Sequence, residues 1–199
     1  MNKLLNTAIK WKVGKPQIKI RKAGVINMIR MIEQEVISAD QLLECFDEVL
    51  PQIKSCISDD WAPELRLVCC EFLEQFLMAA RDVVDGDHLR ELYVILLERL
   101  DDSQDPIRKK TATAINLFFL TKYLPLTASV SSILEYMINA IFVHYDDSNS
   151  EIRDAINLSL RYAARVDPSQ VLKQAQANLG RMKHKEQCDE LIEFCKEQI

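Results

Sequence analysis

Three pairs of adjacent carboxylates recur along this chain: Asp59-Asp60, Asp101-Asp102 and Asp146-Asp147. Neighbouring carboxylates can exchange protons with a substrate or hold a divalent cation. An arginine follows each pair at the same distance, so that Asp60 stands with Arg66, Asp102 with Arg108 and Asp147 with Arg153. A planar guanidinium can grip a carboxylate through two parallel hydrogen bonds, which is an architectural alternative to chemistry. The three histidines, His88, His144 and His184, lie far apart, and there is no His-Glu-x-x-His, Gly-x-Ser-x-Gly or phosphate-binding Walker loop. Cys45, Cys56, Cys69, Cys70, Cys188 and Cys195 form no Cys-x-x-Cys pair and fall in apolar stretches. They read as buried, inert thiols, not as a disulfide frame. No catalytic residue, metal or cofactor is expected.

The arginines decide between the two uses of the carboxylates. Arg21, Arg66, Arg108 and Arg153 are separated by 45, 42 and 45 residues. The last three close matching phrases, Asp59-Asp60-Trp61-Ala62-Pro63-Glu64-Leu65-Arg66, Asp101-Asp102-Ser103-Gln104-Asp105-Pro106-Ile107-Arg108 and Asp146-Asp147-Ser148-Asn149-Ser150-Glu151-Ile152-Arg153. Self-similarity at that period marks a stack of repeats. Carboxylate pairs in successive turns would stand one repeat apart, roughly 10 Å, too far to share a metal ion. An arginine in the first turn of a helix faces the positive end of the helix dipole, which is unfavourable unless an anion answers it. The turn aspartates are the expected partners.

Hydrophobic periodicity places helices over about 2–12, 17–35, 41–57, 63–82, 87–100, 106–123, 128–145, 150–165, 168–183 and 185–198. Asp40 reads as an N-cap, Pro51 should bend its helix, Asp105 should cap a helix that opens at Pro106, and Asp167 should cap one that opens at Pro168. With 4 glycines and 6 prolines in 199 residues there are few tight turns for a sheet. The expected fold is all-α, an α-α superhelix of about five antiparallel helix pairs. It forms one domain over 1–199, with repeats at about 1–37, 38–84, 85–125, 126–166 and a terminal cap pair at 167–199.

Charge is uneven. The first 30 residues hold eight basic side chains and no acid, whereas the rest holds 17 basic and 30 acidic ones. The basic end reads as a solvated helix face or a surface that meets a neighbouring repeat, and the alternative is a docking end for an acidic partner or RNA. A net negative remainder argues against a nucleic-acid partner, because a phosphate backbone demands a basic surface. No apolar run is long enough to span a membrane, and the start lacks a secretory apolar segment with a small-residue cleavage site, so the expected compartment is the cytoplasm. Leu4, Leu5, Ile9 and Trp11 would form an exposed patch if the first helix lacks a neighbour, giving a monomer or a weak dimer.

The phrase Asp-Asp-x-x-x-x-(Ile/Leu)-Arg between two helices, with Pro51 in a first helix, resembles the HEAT (armadillo-type) repeat over residues 1 to about 166. The resemblance implies a ladder in which each turn aspartate and the following arginine link adjacent repeats. The chain departs from the pattern in the first repeat, where Lys15 stands in the aspartate position. No histidine is followed by glutamate, so the metal-binding pairs of HEAT-type hydroxylases are absent. The last 60 or so residues, through Phe142-Val143-His144-Tyr145-Asp146-Asp147, Asp167-Pro168 and His184-Lys185-Glu186-Gln187-Cys188-Asp189-Glu190-Leu191, are similar to the C-terminal end of HEAT-type dynein axonemal assembly factors. That likeness implies the end of a longer array and a non-enzymatic scaffold. Its implied work is the cytoplasmic preassembly of dynein arms for motile cilia, with dynein chains and chaperone components as partners.

Solenoids bind partners on the extended face made by their second helices. The polar positions expected there are Glu71, Gln75, Lys109, Thr113, Asn116, Asp154, Asn157 and Arg161. The alternatives are a general HEAT adaptor, such as a phosphatase or transport scaffold, and a DNA-binding HEAT-like enzyme, against which the acidic remainder counts.

Overall fold

A computed structural model describes residues 15–59, 61–122, 124 and 128–199, and side chains within these except at 15, 16 and 128–131. The expected first helix at 2–12, the patch of Leu4, Leu5, Ile9 and Trp11, and Asp60 lie outside the described residues. Among the described residues every regular element is a helix, and the fold class is all-α. No helix among them is long and apolar enough to cross a membrane. The chain forms two compact units, Met1–Val83 and Val84–Ile199, and the division falls between the second and third expected repeats.

The first unit contains α1 (Lys15–Glu33), α2 (Ala39–Glu44), α3 (Phe46–Ile57) and α4 (Pro63–Ala80). Helix α4 packs against the other three. Its buried Phe76 meets Phe46 of α3 with ring centroids 5.3 Å apart, and Val25, Ile53, Leu65, Leu73 and Leu77 fill the space around them. Helix α1 ends in a hydrogen-bonded left-handed turn: Glu35 has φ 53°, its N–H donates to Ile32 and the Val36 N–H to Met31. This is a Schellman cap built without the usual glycine.

Two sequence expectations are corrected here. The helix after α1 is capped by Ser38, not Asp40: Ser38 Oγ accepts the Gln41 N–H (3.3 Å) and Gln41 Oε1 accepts the Ser38 N–H (3.1 Å). The reciprocal pair satisfies two amides where an aspartate at position 40 would satisfy one, so the capping box wins. The expected 41–57 helix is also divided. It breaks at Cys45, and Pro51 sits inside the second piece. The redirection comes before the proline, which then costs its helix one hydrogen bond.

The second unit contains α5 (Gly86–Leu100), α6 (Asp105–Phe119), α7 (Ala128–Val143), α8 (Ser150–Val166), α9 (Pro168–Asn178), a 3₁₀ turn (Leu179–Arg181) and α10 (Lys185–Gln198). Each pair is antiparallel through a short turn. First helices adjoin first helices, α5 with α7 and α7 with α9, and second helices adjoin second helices, α6 with α8 and α8 with α10. This alternation is the packing of an α-α superhelix. Leu92, Leu96, Ile115, Phe118, Met137, Ile141, Ile156, Leu160 and Leu191 form a core that continues through all three pairs. Asp105 is not the cap expected of it. Gln104 occupies that position and Asp105 is the first helical residue, where its carboxylate is free to reach outward. Asp167 does cap α9, accepting the Gln170 N–H at 3.0 Å. All six cysteines are buried and none forms a disulfide.

Candidate protein-interaction face

The turns between paired helices hold the recurrent charges. In each, one aspartate closes the turn, and Asp59 and Asp147 also receive an arginine of the preceding repeat. Asp147 Oδ1 accepts the Asn149 N–H (2.9 Å), its main-chain carbonyl accepts Arg153 Nη1 (2.7 Å), and its carboxylate receives Arg108, an arginine of the preceding repeat, at 3.0 and 3.3 Å. Asp102 Oδ1 accepts the Gln104 N–H (3.0 Å) and its carbonyl accepts Arg108 Nη1 (2.9 Å). In the first unit, Asp59 fills this place. Its Oδ1 accepts the Trp61 N–H (3.1 Å), its carbonyl accepts Arg66 Nη1 (2.9 Å), and its Oδ2 accepts Arg21 Nη2 (2.9 Å). Each side chain closes its own turn through an amide two residues on, the local bond that suits aspartate to this role.

Of the turn carboxylates open to Arg108 in its own and neighbouring repeats, Asp102, Asp60 and Asp147, the structure pairs it with Asp147. Arg66, Arg108 and Arg153 all stand at the fourth position of their helices and turn back to a carbonyl of their own turn, not to its carboxylate. The carboxylates of Asp59 and Asp147 receive the arginine one repeat earlier, and that of Asp102 meets Arg99 at 3.4 Å. In the first turn the aspartate with the geometry of Asp147 is Asp59, seven residues before Arg66.

In the second and third doublets the leading aspartate points elsewhere. Asp101 Oδ1 meets His144 Nε2 at 3.2 Å. Asp146 accepts the main-chain N–H groups of Lys183 (2.8 Å) and His184 (3.2 Å), just before α10. Burial of His144, outweighing Asp101 and Asp147, holds its pKa below the usual imidazole value. Its Nε2 faces Asp101, so the imidazole is held inside the unit. His88 is likewise local, with Nδ1 2.6 Å from Asp85, the cap of α5.

The second helices α6 and α8 meet along a polar seam. Asp105 accepts Asn149 Nδ2 (2.9 Å), Lys109 Nζ reaches Glu151 (2.6 Å), and Ser159 Oγ donates to Asn116 Oδ1 (2.7 Å). Two of the positions expected to face a partner, Lys109 and Asn116, are therefore engaged inside the unit. Asn116 is 8 % exposed and belongs to the seam, because it lies on the side of α6 that meets α8, where it accepts from Ser159. Lys109 is exposed but paired, and Thr113 Oγ1 bonds back to Lys109 O (3.2 Å). Asn157 and Arg161 link α8 to its neighbours. Asn157 Nδ2 donates to the Tyr145 hydroxyl (3.3 Å), Arg161 Nε donates to Asn157 Oδ1 (2.9 Å), and Arg161 also lies 3.6 Å from Glu190 and over the Phe194 ring. Asp154 is exposed, and Glu71 and Gln75 are half-buried on α4 of the first unit.

With this geometry the chain can be compared with known proteins. It is 24 % identical over 194 residues, 97 % of its length, to dynein axonemal assembly factor 5 of Mus musculus. The Homo sapiens protein of that name is 25 % identical over 191 residues, and the Xenopus laevis protein 24 % over 196. The chain is similar, nearly end to end, to dynein axonemal assembly factor 5. It spans 23 % of the mouse relative, within its C-terminal part. The likeness seen in the last 60 or so residues thus extends through both units. No protein-family model matches the chain.

Proposed function

We propose that this chain is a non-enzymatic helical-repeat scaffold that acts in the assembly of axonemal dynein arms. The work is done in the cytoplasm, before the arms reach the axoneme, and the partners are dynein chains and chaperone components. The observation that carries this reading is similarity over 97 % of the chain to proteins named for that assembly. Support for the non-catalytic part comes from the turns. Asp59, Asp101, Asp102, Asp146 and Asp147 are taken up by arginines, amides and His144, which fixes the helices. Both units serve as one repeat domain in this account, and its second helices offer Asp154, Glu71 and Gln75 to a partner.

The test is affinity purification of the tagged chain from ciliated cells, followed by mass spectrometry. Dynein heavy or intermediate chains together with chaperone subunits are the expected co-purifying proteins. Recovery of phosphatase subunits or transport factors, without dynein chains, would replace this reading with the general adaptor.

A further inference from the structure

Val94, Tyr136 and Val143 are large apolar side chains left exposed among the described residues, and all three border one groove in the second unit. The groove runs between α5 and α7, the first helices of successive pairs, and has a volume of about 410 Å³. Tyr93 and Tyr136 meet edge to face with centroids 6.2 Å apart, and Leu97 lines the same wall as Val94. Tyr136 is 61 % exposed and Val143 76 % exposed, so the described residues leave the groove open. Monomeric proteins seldom leave a clustered apolar strip uncovered without a partner to meet it.

The charges at this site have one sign. Glu98, Asp101 and His144 are the ionisable groups beside the tyrosines, and no lysine or arginine lines the groove. His144 does not offset the two acids, because burial favours its neutral form. Helix α5 ends at Leu100 and α7 at Val143, next to Asp101 and His144, so the negative ends of two helix dipoles converge there. The groove is thus apolar and aromatic along its length and electronegative at one end.

We propose that this groove docks a partner-protein segment that carries a bulky apolar side chain beside a lysine or arginine. The apolar group lies against Val94, Leu97 and Val143. The cation takes the Glu98–Asp101 end. The volume falls within the ~300–1,000 Å³ typical of ligand sites. The site lies on the first helices of the unit, the layer opposite the second-helix positions to which the sequence points. It rests on the scaffold reading only in taking a protein segment as its ligand.

Fluorescence anisotropy on the whole chain tests it with two defined probes. One is an amphipathic helical peptide of leucine, tryptophan and lysine, and the other is the same peptide with glutamate in place of lysine. The lysine peptide should bind and the glutamate peptide should not. Val94→Ser with Tyr136→Ser should weaken the lysine peptide about tenfold or more. Glu98→Lys should weaken it comparably, whereas Glu64→Lys, an exposed change of equal charge in the other unit, should leave it unmoved. Circular dichroism establishes that each variant is folded, and the exposed Glu98 decides the matter even if the double substitution disturbs packing. Equal binding of both peptides, no binding of the lysine peptide, or equal effects of Glu98→Lys and Glu64→Lys would overturn the proposal. Because no dynein chain is used, failure here is separate from failure of the assembly reading.

Discussion

Arg108 holds Asp147 across 39 residues of chain, with Nε 3.0 Å from one carboxylate oxygen and Nη2 3.3 Å from the other. The same guanidinium reaches the Asp102 carbonyl at 2.9 Å and Asp105 at 2.8 Å. One side chain therefore closes its own turn and fastens the next. Both partners of the long-range pair are largely screened from water, at 14 % and 8 % side-chain exposure. Burial would push the Asp147 carboxyl up, but the Asn149 N–H and Arg108 outweigh it and hold the pKa below the usual range.

Replacing Arg108 with alanine should lower stability by about 2–3 kcal/mol, because a buried carboxylate loses its cation and a carbonyl loses its donor. Arg108→Lys should recover only part of this, since an ammonium cannot serve both oxygens and the carbonyl in one plane. Urea unfolding measures both. A change under about 0.5 kcal/mol for the alanine variant, the range of ordinary surface substitutions, would contradict the role given to this residue.

Asp147 also sets an acid limit. Its folded pKa lies below the unfolded value of about 3.9, so its contribution is fully present above that value and is lost as pH falls through the folded pKa. Thermal unfolding followed from neutral pH into acid should show a steeper loss for the native chain than for Arg108→Ala, in which the depression is reduced. Parallel curves would place the acid sensitivity elsewhere.

His144 works in a different window. Its folded pKa is depressed by burial, so below about pH 6.5 the unfolded chain takes up a proton that the folded chain resists. Stability should decline as pH drops from 6.5 toward the folded pKa, and His144→Gln should flatten that decline. An NMR titration in which His144 protonates above the unperturbed value would reverse the sign.

Removal of 167–199 should expose the apolar side of α8 and part of α7, against which α9 and α10 pack through Val171, Ala175, Cys188, Leu191 and Cys195. Asp146 would lose both main-chain donors. The shortened chain is expected to aggregate or melt several degrees lower. A monomeric product with an unchanged midpoint would show that the last pair is no cap.

Glu35 occupies a left-handed conformation with φ 53°. Such a backbone costs a side-chain-bearing residue roughly 1–2 kcal/mol, whereas glycine adopts it freely but loses some of that gain to its looser unfolded state. Glu35→Gly should therefore stabilise the first unit by about 0.5–1 kcal/mol. Destabilisation would mean that the Glu35 side chain makes a contact worth more than the strain.

The helices were legible because leucine and isoleucine recur at helical spacing through α5, α6 and α8, and the turns because their phrases repeat. The donors and acceptors inside each turn were not. Spacing showed that an arginine follows a doublet, but not that Arg108 would take the Asp102 carbonyl with one nitrogen and the Asp147 carboxylate with the others. The Ser38-x-x-Gln41 box was readable and was obscured by the neighbouring Asp40. The fate of Asn116 was hidden for another reason. Whether a polar residue on a second helix faces solvent or the adjoining helix depends on rotation about the axis, and one position along α6 separates the half-buried Leu117 from the buried Asn116.

The place of Asp59 has a consequence for how such a chain can change length. It stands seven residues before Arg66, where Asp102 stands six before Arg108 and Asp147 six before Arg153, yet it keeps the local amide bond, the carbonyl bond to its arginine and the link to an arginine of the preceding repeat. One residue can be gained between the aspartate and its helix while the joint holds. The turns act as buckles with a spare hole, so the period can drift, as the 45, 42 and 45 residues between arginines do, without the strap coming loose.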